Sequence, residues 1–175
     1  MTAELSMEVG EIALVNERFQ NELKKRDIQN VVKVQKGNDN NFTSKLLAKV
    51  EFKSGDIIAK LDGLTFAKKR WSTVQVSKDT HVELNSDLVY MNHNCDPSVI
   101  INTEELIVQA IKDIPIDGEI HFFYPSSEWD MDQSFQCWCQ HSNCIKTVSG
   151  AKNLSMDVLN KYFINSHILN LKNEN

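Results

Sequence analysis

The sequence predicts a mainly β domain with flanking helices, an α+β fold. Short apolar segments typical of strands follow one another at close intervals, helical periodicity is confined to the two ends, and strands do not alternate with helices. The chain has 175 residues, of which 41% are hydrophobic and 25% are charged, and this suits a globular domain with a proper core. We therefore expect one compact unit rather than two separate domains.

The N-terminal part is expected to form an amphipathic helix over residues 7–25. Apolar residues recur there at three- and four-residue spacings: Ile12, Val15, Phe19 and Leu23. The basic turn Lys24-Lys25-Arg26 suits a helix C-terminus, where cations interact favourably with the helix dipole. Residues 1–30 are therefore predicted to be a helical extension.

The middle of the chain is predicted to be a series of strands joined by short turns. Period-two alternation or a continuous apolar run marks each strand. The predicted strands are Val31–Val34, a strand beginning at Leu46, Ile57–Ala59, Val74–Val76, His81–Leu84, Val99–Ile101, Leu106–Ile111 and Glu119–Tyr124. Turn-forming residues lie at Gly37–Asn41, Lys53–Asp56 and Pro115–Gly118.

The last 20 residues are predicted to form a second amphipathic helix within a C-terminal segment, residues 151–175. Ser155 is the expected N-cap, and Asp157 lies in the first turn, where a carboxylate is favourable. The residues expected to face the core are Met156, Leu159 and Phe163, with Tyr162 as a further candidate.

Charge and hydropathy argue against two classes of partner. The net charge is −5 and the pI is about 5.5, whereas nucleic-acid binding needs a basic surface, so no direct nucleic-acid binding is expected. No run of about 18 or more apolar residues occurs, so no membrane partner is expected. Met1–Gly10 lacks the basic-then-apolar order of a signal peptide, which predicts an intracellular location, cytoplasmic or nuclear. The sequence leaves the oligomeric state open.

Three of the four cysteines lie within eight residues, as Cys137, Cys139 and Cys144. In a reducing compartment this C-x-C-x4-C spacing is typical of a metal site, and zinc prefers four sulfur or nitrogen ligands in a tetrahedron. The fourth ligand is either Cys95 or the nearby His141, and Cys95 is preferred because the site then uses every cysteine. The alternative is four unrelated free thiols, which the clustering disfavours.

Cys95 lies in a polar stretch, Tyr90-Met91-Asn92-His93-Asn94-Cys95-Asp96-Pro97, that makes poor core for a helix or a strand. Its carboxamides, imidazole, thiol and carboxylate need partners wherever they are buried. We expect the distant region Cys137–Cys144 to meet this stretch around a metal, with the active site beside it.

Four segments resemble the motifs of SET-domain protein lysine methyltransferases, in the order that the family has them. They are Asn92-His93-Asn94-Cys95-Asp96-Pro97, similar to N-H-S-C-x-P; Gly118-Glu119-Ile120-His121-Phe122-Phe123-Tyr124, similar to G-E-E-L-x-F-D-Y; Phe135-Gln136-Cys137-Trp138-Cys139 through Cys144, similar to the post-SET motif C-x-C-x4-C; and Lys53-Ser54-Gly55-Asp56-Ile57-Ile58, similar to K-x-G-E-x-I. The resemblance covers residues 31–150.

The resemblance implies a β-clip-like fold of small sheets in which the C-terminal segment passes under the loop of the N-H-S-C region, a pseudoknot. It implies a SET domain over residues 31–125 and a post-SET zinc-binding segment over residues 126–150. It also implies a bound S-adenosylmethionine beside one structural zinc ion, Zn²⁺. The implied zinc ligands are Cys95, Cys137, Cys139 and Cys144.

The same resemblance assigns residues to the cofactor. Asn92 and His93 match the cofactor-binding pair, and Tyr90 is placed at the edge of that pocket. Trp138, between two cysteines, is either a stacking surface for adenine or an aromatic residue that only packs or is exposed. Lys45 and Leu46 stand where the family's glycine-rich segment approaches the cofactor.

Two aromatic residues match the family's catalytic positions. Tyr124 matches the tyrosine that orients the acceptor amine, and Phe122 matches the position that sets how many methyl groups fit. Because phenylalanine has no hydroxyl to hold a water molecule, Phe122 implies that methylation proceeds beyond the first methyl group.

The expected function is S-adenosylmethionine-dependent methyl transfer to the ε-amine of a lysine in a protein or peptide substrate, histone or non-histone. Retention of Asn92, His93 and Tyr124 favours this enzyme, since a scaffold needs only the cysteines. Thr43-Ser44-Lys45 stands in place of the family's G-x-G, which favours a non-catalytic, zinc-stabilised SET-like binding module. A methyltransferase of a small-molecule amine is the remaining alternative.

Overall fold

The computed structural model describes residues 27–37 and 43–174, and in this part of the chain strands outnumber helices, as the sequence predicts. The described helices are α1 (Ile28–Val31), α2 (Met156–Leu159) and α3 (Ser166–Glu174). The described strands are β1 (Val32–Gln35), β2 (Lys45–Ala48), β3 (Ile57–Lys60), β4 (Thr65–Ala67), β5 (Thr73–Gln75), β6 (His81–Glu83), β7 (Asn92–His93), β8 (Val99–Asn102), β9 (Ile107–Ala110), β10 (His121–Phe122), β11 (Phe135–Gln136) and β12 (Thr147–Val148). Three 3₁₀ turns in the same part span Asp87–Tyr90, Tyr124–Ser126 and Ala151–Asn153.

The strands form several small sheets rather than one continuous sheet. β3, β9 and β8 form one three-stranded antiparallel sheet, and β4, β6 and β5 form another. β1 pairs with β2, and β11 pairs with β12, both antiparallel. β7 and β10 form a short parallel pair. This arrangement is the mainly β fold of small sheets that the sequence predicts.

The main hydrophobic core joins the sheets. Its fully buried side chains include Leu46, Phe52, Ile58, Ile101 and Ile114. Complete burial of one such side chain stabilises a fold by roughly 1.5–3 kcal/mol. The core therefore fixes β2, β3 and β8 relative to one another.

A second, smaller cluster of buried residues lies beside the cysteines. Cys95, Phe123 and Leu159 are buried there, and the remaining cysteines pack against the cluster. Phe123 stacks on Tyr162, with ring centroids 3.8 Å apart and an interplanar angle of 5°. The C-terminal segment therefore supports the cysteine region.

The parallel pairing of β7 with β10 brings the polar stretch against a second distant segment, in addition to the predicted region Cys137–Cys144. Asn92 lies opposite His121, and His93 lies opposite Phe122. The Asn94 backbone N–H continues the ladder by donating to the Phe122 carbonyl at 3.0 Å. Tyr124 lies two residues after the end of β10, so this pairing places it beside the polar stretch.

The prediction of one continuous C-terminal helix is wrong, because α2 and α3 are separated by residues 160–165. Asn165, only 2% exposed, explains the interruption. Its side-chain amide donates to the carbonyls of Ile101 and Ser126 and accepts from the Thr103 backbone N–H. These buried tertiary hydrogen bonds hold the chain in a non-helical path.

The predicted inward face of that helix is only partly correct. Leu159 is fully buried, whereas Met156 and Phe163 are 39% and 38% exposed. Ser155 precedes α2, but its side chain makes no capping hydrogen bond. The short helix α2 therefore has one anchoring side chain instead of a continuous apolar stripe.

Two further differences concern strands. The predicted strand Glu119–Tyr124 is reduced to the two residues of β10, because Pro125 and the 3₁₀ turn Tyr124–Ser126 end the extended backbone. β4, Thr65–Ala67, was not predicted, and its side chains are largely exposed, so it lacks the alternating pattern of a half-buried strand. The turn after β2 is confirmed, with Gly55 at a φ of 96° that favours glycine.

The predicted helix over residues 7–25 and most of the predicted loop Gly37–Asn41 lie outside the described residues. Within the described part, no helix has both the length and the apolar character needed to cross a membrane.

Candidate functional site

The four cysteine side chains converge on one point. The sulfur atoms of Cys95, Cys137, Cys139 and Cys144 all lie within 4.8 Å of one another. Cys95 Sγ and Cys137 Sγ are 3.8 Å apart, and a tetrahedral site with Zn–S bonds of about 2.3 Å has sulfur atoms roughly 3.8 Å apart. In the described part of the chain His141 is outside this group, so Cys95 is the fourth member.

Local backbone contacts arrange the cysteines. The Cys137 N–H donates to the Lys146 carbonyl at 2.7 Å, and the Cys144 N–H donates to the His141 carbonyl at 3.0 Å. The short β11–β12 ladder closes the loop on both sides, and the Ile145 N–H points at Cys95 Sγ at 3.5 Å. The C-x-C-x4-C spacing thus forms one tight loop around the buried Cys95.

Burial disfavours the thiolate form of two of the four cysteines, Cys95 and Cys137. Removal from water raises the pKa of Cys95 and raises the pKa of Cys137 to about 11. Both would stay protonated near neutral pH unless a positive ion stabilised the thiolates. Although burial opposes it, hydrogen bonds from the His141 backbone and from neighbouring groups lower the pKa of Cys139 to about 6. The donor set, its spacing and its burial therefore fit zinc.

Tyr124 is held from both its side chain and its backbone. Its hydroxyl donates to the Met91 carbonyl at 2.9 Å, and its backbone N–H donates to His93 Nδ1 at 3.1 Å. Desolvation is the main cause that raises the pKa of Tyr124 above its usual range. The phenol is therefore neutral, a group that orients a ligand by hydrogen bonding rather than a strong base.

The Tyr124 ring lies among other aromatic rings. The centroid of Phe122, which is 5% exposed, is 4.8 Å away, and the centroid of Phe135 is 6.1 Å away at an edge-to-face angle. Phe135 also contacts His93 at 6.1 Å. The sequence does not predict Phe135 as a site residue, although its position two residues before Cys137 places it next to the cysteine loop.

His93 lies between Tyr124 and the cysteine cluster. Its Nε2 is 3.3 Å from Cys95 Sγ. Burial, with a smaller contribution from His121, lowers the pKa of His93 to about 3. The imidazole is therefore neutral across the physiological range.

Asn92 belongs to a polar network on the opposite side of β7. Its Nδ2 donates to the Ser44 carbonyl at 2.9 Å and to Glu119 Oε1 at 3.3 Å. Lys45 Nζ lies 3.0 Å from Glu119 Oε2. Glu119 was not selected from the sequence, because only the pairing of β7 with β10 reveals that it lies beside Asn92.

The other predicted cofactor residues have different environments. The Leu46 side chain is fully buried in the core, and its carbonyl accepts from the Ile120 N–H at 2.8 Å. Tyr90 accepts a hydrogen bond from Lys36 Nζ at 2.8 Å, and Lys36 is a further residue that the sequence did not suggest. Trp138 is 82% exposed, which leaves its ring accessible.

Comparison with known proteins identifies relatives of the chain. A sequence model of the SET domain matches residues 7–125, starting earlier than the predicted boundary at residue 31. Methyltransferase flvH of Aspergillus flavus is 35% identical over 133 residues, which is 74% of this chain and 75% of the relative.

Two solved structures have a similar fold. The crystal structure of KRYPTONITE in complex with mCHG DNA and SAH matches with a TM-score of 0.51 at 12% identity over 66% of this chain. The methyltransferase domain of human histone-lysine N-methyltransferase SETMAR matches with a TM-score of 0.50 at 12% identity over 68% of this chain. The match spans 29% and 58% of those two chains, and at this identity it shows the fold alone.

Proposed function

The chain belongs to the SET-domain family, and from this premise we propose that it transfers a methyl group from S-adenosylmethionine to the ε-amine of a lysine in a protein or peptide. The family match and the 35% identical methyltransferase support S-adenosylmethionine-dependent methyl transfer. The lysine acceptor is the further step, and the aromatic surroundings of Tyr124 are the observation that carries it.

The aromatic group around Tyr124 suits a lysine side chain. A free lysine has a pKa of about 10.4, so its amine must lose a proton before it can act as a nucleophile. The buried Phe122 supplies an apolar wall that disfavours the charged ammonium, and the more exposed Phe135 ring flanks the same site. The neutral phenol of Tyr124 and the nearby Met91 carbonyl then orient the amine.

The polar network beside β7 suits the cofactor. When bound, S-adenosylmethionine supplies an electrophilic methyl group on a sulfonium. Asn92 Nδ2 is already engaged, and no residue in the described part of the chain bonds to Asn92 Oδ1, so this oxygen is available to accept from the ammonium of the cofactor. Lys45 places a cation where the cofactor carboxylate can pair with it, and the exposed ring of Trp138 offers a face for adenine.

The cysteine cluster is proposed to hold a structural zinc ion. Cys95, Cys137, Cys139 and Cys144 would fill all four positions of a tetrahedron, which leaves none for a substrate. The structure has these cysteines as free thiols, which fits the proposed intracellular location.

The proposal is tested by titrating the zinc-loaded protein with S-adenosylmethionine in a calorimeter and then following transfer of a labelled methyl group. The acceptor panel contains lysine peptides, intact histones and small-molecule amines, and mass spectrometry locates the product. We expect cofactor binding and methyl-lysine in peptides. Labelling of small amines alone would replace the acceptor class, and absence of cofactor binding would favour the non-catalytic binding module.

A further inference from the structure

His93 makes two contacts that methyl transfer itself does not require. Its Nδ1 lies 3.1 Å from the Tyr124 backbone nitrogen, and its Nε2 lies 3.3 Å from Cys95 Sγ. The two nitrogens of one ring thus face the proposed catalytic residue and a member of the cysteine cluster.

The hydrogen atoms in these contacts can be assigned from chemistry. The Tyr124 backbone N–H can only donate, so Nδ1 of His93 is the acceptor. A neutral imidazole has one acceptor nitrogen and one N–H, so the proton is on Nε2 and points at Cys95 Sγ. A metal-bound thiolate has no proton of its own and accepts this hydrogen bond.

The surroundings hold the ring in this orientation. The His93 ring contacts Phe123 at 5.5 Å, Tyr124 at 5.4 Å and Phe135 at 6.1 Å between centroids. The β7–β10 ladder fixes the backbone on which the ring is carried, with His93 opposite Phe122. Rotation of the ring would therefore require several aromatic side chains to move.

We propose that His93 is a positioning residue that couples zinc occupancy of the cysteine cluster to the placement of Tyr124. The proposal rests on the proposed function in so far as Tyr124 is the catalytic residue. Side chains that hydrogen-bond to metal ligands orient those ligands and tune metal affinity. His93 orients Cys95 through its Nε2–H, and its Nδ1 accepts the hydrogen bond that fixes the Tyr124 backbone.

The direct test is nuclear magnetic resonance on the zinc-loaded, ¹⁵N-labelled full chain. We expect the His93 spectrum of a neutral ring with its proton on Nε2, and a coupling across the hydrogen bond between the Tyr124 amide and Nδ1. A proton on Nδ1, or no coupling, would overturn the proposal. Because this experiment needs neither cofactor nor acceptor, its outcome is independent of whether the proposed function holds.

Two substitutions of His93 test separately its hydrogen bond to Cys95 and its hydrogen bond from the Tyr124 backbone. His93→Asn keeps an acceptor near the Nδ1 position and removes the donor to Cys95, so zinc should pass to a chelator roughly tenfold faster. His93→Gln keeps a donor near the Nε2 position and removes the acceptor for Tyr124. It should retain zinc to within about twofold, shift the Tyr124 amide resonance and lower kcat roughly tenfold.

The matched control is His141→Gln, since His141 is an exposed histidine beside the cysteine loop. It should leave both zinc release and the Tyr124 resonance as in the wild type. If His93→Asn and His93→Gln changed zinc release and the Tyr124 amide resonance equally, the role of His93 would be packing alone. That result would refute the proposed link between zinc occupancy and the placement of Tyr124.

Discussion

The cysteine side and the cofactor side of the site flank the same short strand, β7, but are stabilised differently. On the cysteine side, Cys95 is fully buried and His93 and Phe123 pack around it. On the cofactor side, the Lys45 and Glu119 side chains are 47% and 28% exposed and interact through charge. Packing therefore fixes the geometry of the cysteine side. On the cofactor side, substitution of an exposed charged residue should change the free energy of unfolding only slightly.

The loop before β2, on the cofactor side, lacks the family's G-x-G glycines but has a glycine at position 37. Family members place G-x-G where this chain has Thr43-Ser44-Lys45, yet a glycine lies across the loop at position 37. A Cβ on Gly37 would clash with Thr43 Oγ1 and with the Thr43 backbone, and the Gly37 N–H donates to Ser44 Oγ at 3.1 Å. The close approach at this loop thus depends on Gly37.

Removal of a cysteine ligand is expected to have the largest effect. Cys95→Ser should abolish zinc retention and lower the free energy of unfolding by several kcal/mol, because structural zinc binding is coupled to folding. Thermal denaturation and metal analysis measure this, with His141→Ala as the control. Wild-type stability and zinc content in Cys95→Ser would show that the cluster does not hold a structural metal.

A pH titration tests a buried carboxyl near the cysteine side. Glu128 is 7% exposed, its Oε1 accepts from the Gln75 N–H at 2.8 Å, and burial raises the pKa of Glu128 to about 7. The folded state binds this proton more tightly than the unfolded state does. Stability from this group is therefore complete below the ordinary glutamate pKa of 4.5 and is lost as pH rises towards 7, by an amount on the order of 3 kcal/mol.

The comparison of wild type with Glu128→Gln isolates that effect. His81 and His167 have pKa values lowered by burial, so their contribution has the opposite sign, rising with pH up to the ordinary value of 6.5. Subtracting the variant's curve removes the contribution of His167, whereas His81, whose Nε2 lies 3.8 Å from Glu128 Oε2, belongs to the same pair and is read out together with Glu128. Parallel stability curves from pH 5 to pH 8 would contradict the account.

On the cofactor side, Lys45→Met should act on binding rather than on folding. Loss of one charge-assisted contact is expected to raise KM for S-adenosylmethionine about tenfold with a smaller change in kcat. The control is Lys53→Met, which removes an exposed lysine paired with Asp113. An unchanged KM in Lys45→Met would remove this residue from the cofactor site.

The smallest expected change is in the product rather than in the rate. Phe122→Tyr adds a hydroxyl beside Tyr124, where it can hold a water molecule in space that a methyl group would need. We expect wild type to add more than one methyl group and the variant to stop earlier. Mass spectrometry of a saturated reaction decides this, and a single methyl group from wild type would refute it.

The residues whose role depends on local spacing could be predicted from the sequence. Cys137, Cys139 and Cys144 form one tight loop, so their spacing alone indicates a metal site. The resemblance to N-H-S-C-x-P indicates Cys95, and the resemblance to G-E-E-L-x-F-D-Y indicates Tyr124. The β7–β10 pairing brings these two segments together.

The residues that depend on pairing between distant strands could not be predicted. Glu119 meets Lys45 because Leu47 pairs with Glu119, and it meets Asn92 because β10 lies against β7. Phe135 contacts His93 although the two residues lie far apart in the sequence. The break between α2 and α3 likewise depends on buried partners of Asn165, which no helical periodicity reveals.

The most direct test of the central claim is the pair of wild type and Tyr124→Phe, both zinc-loaded. The variant loses the hydroxyl that bonds the Met91 carbonyl but keeps the ring. We predict that methyl transfer to lysine falls by roughly 10²–10³-fold, as for loss of a preorganised donor, while the Kd for S-adenosylmethionine changes by less than about twofold. Retained turnover in Tyr124→Phe would contradict the account.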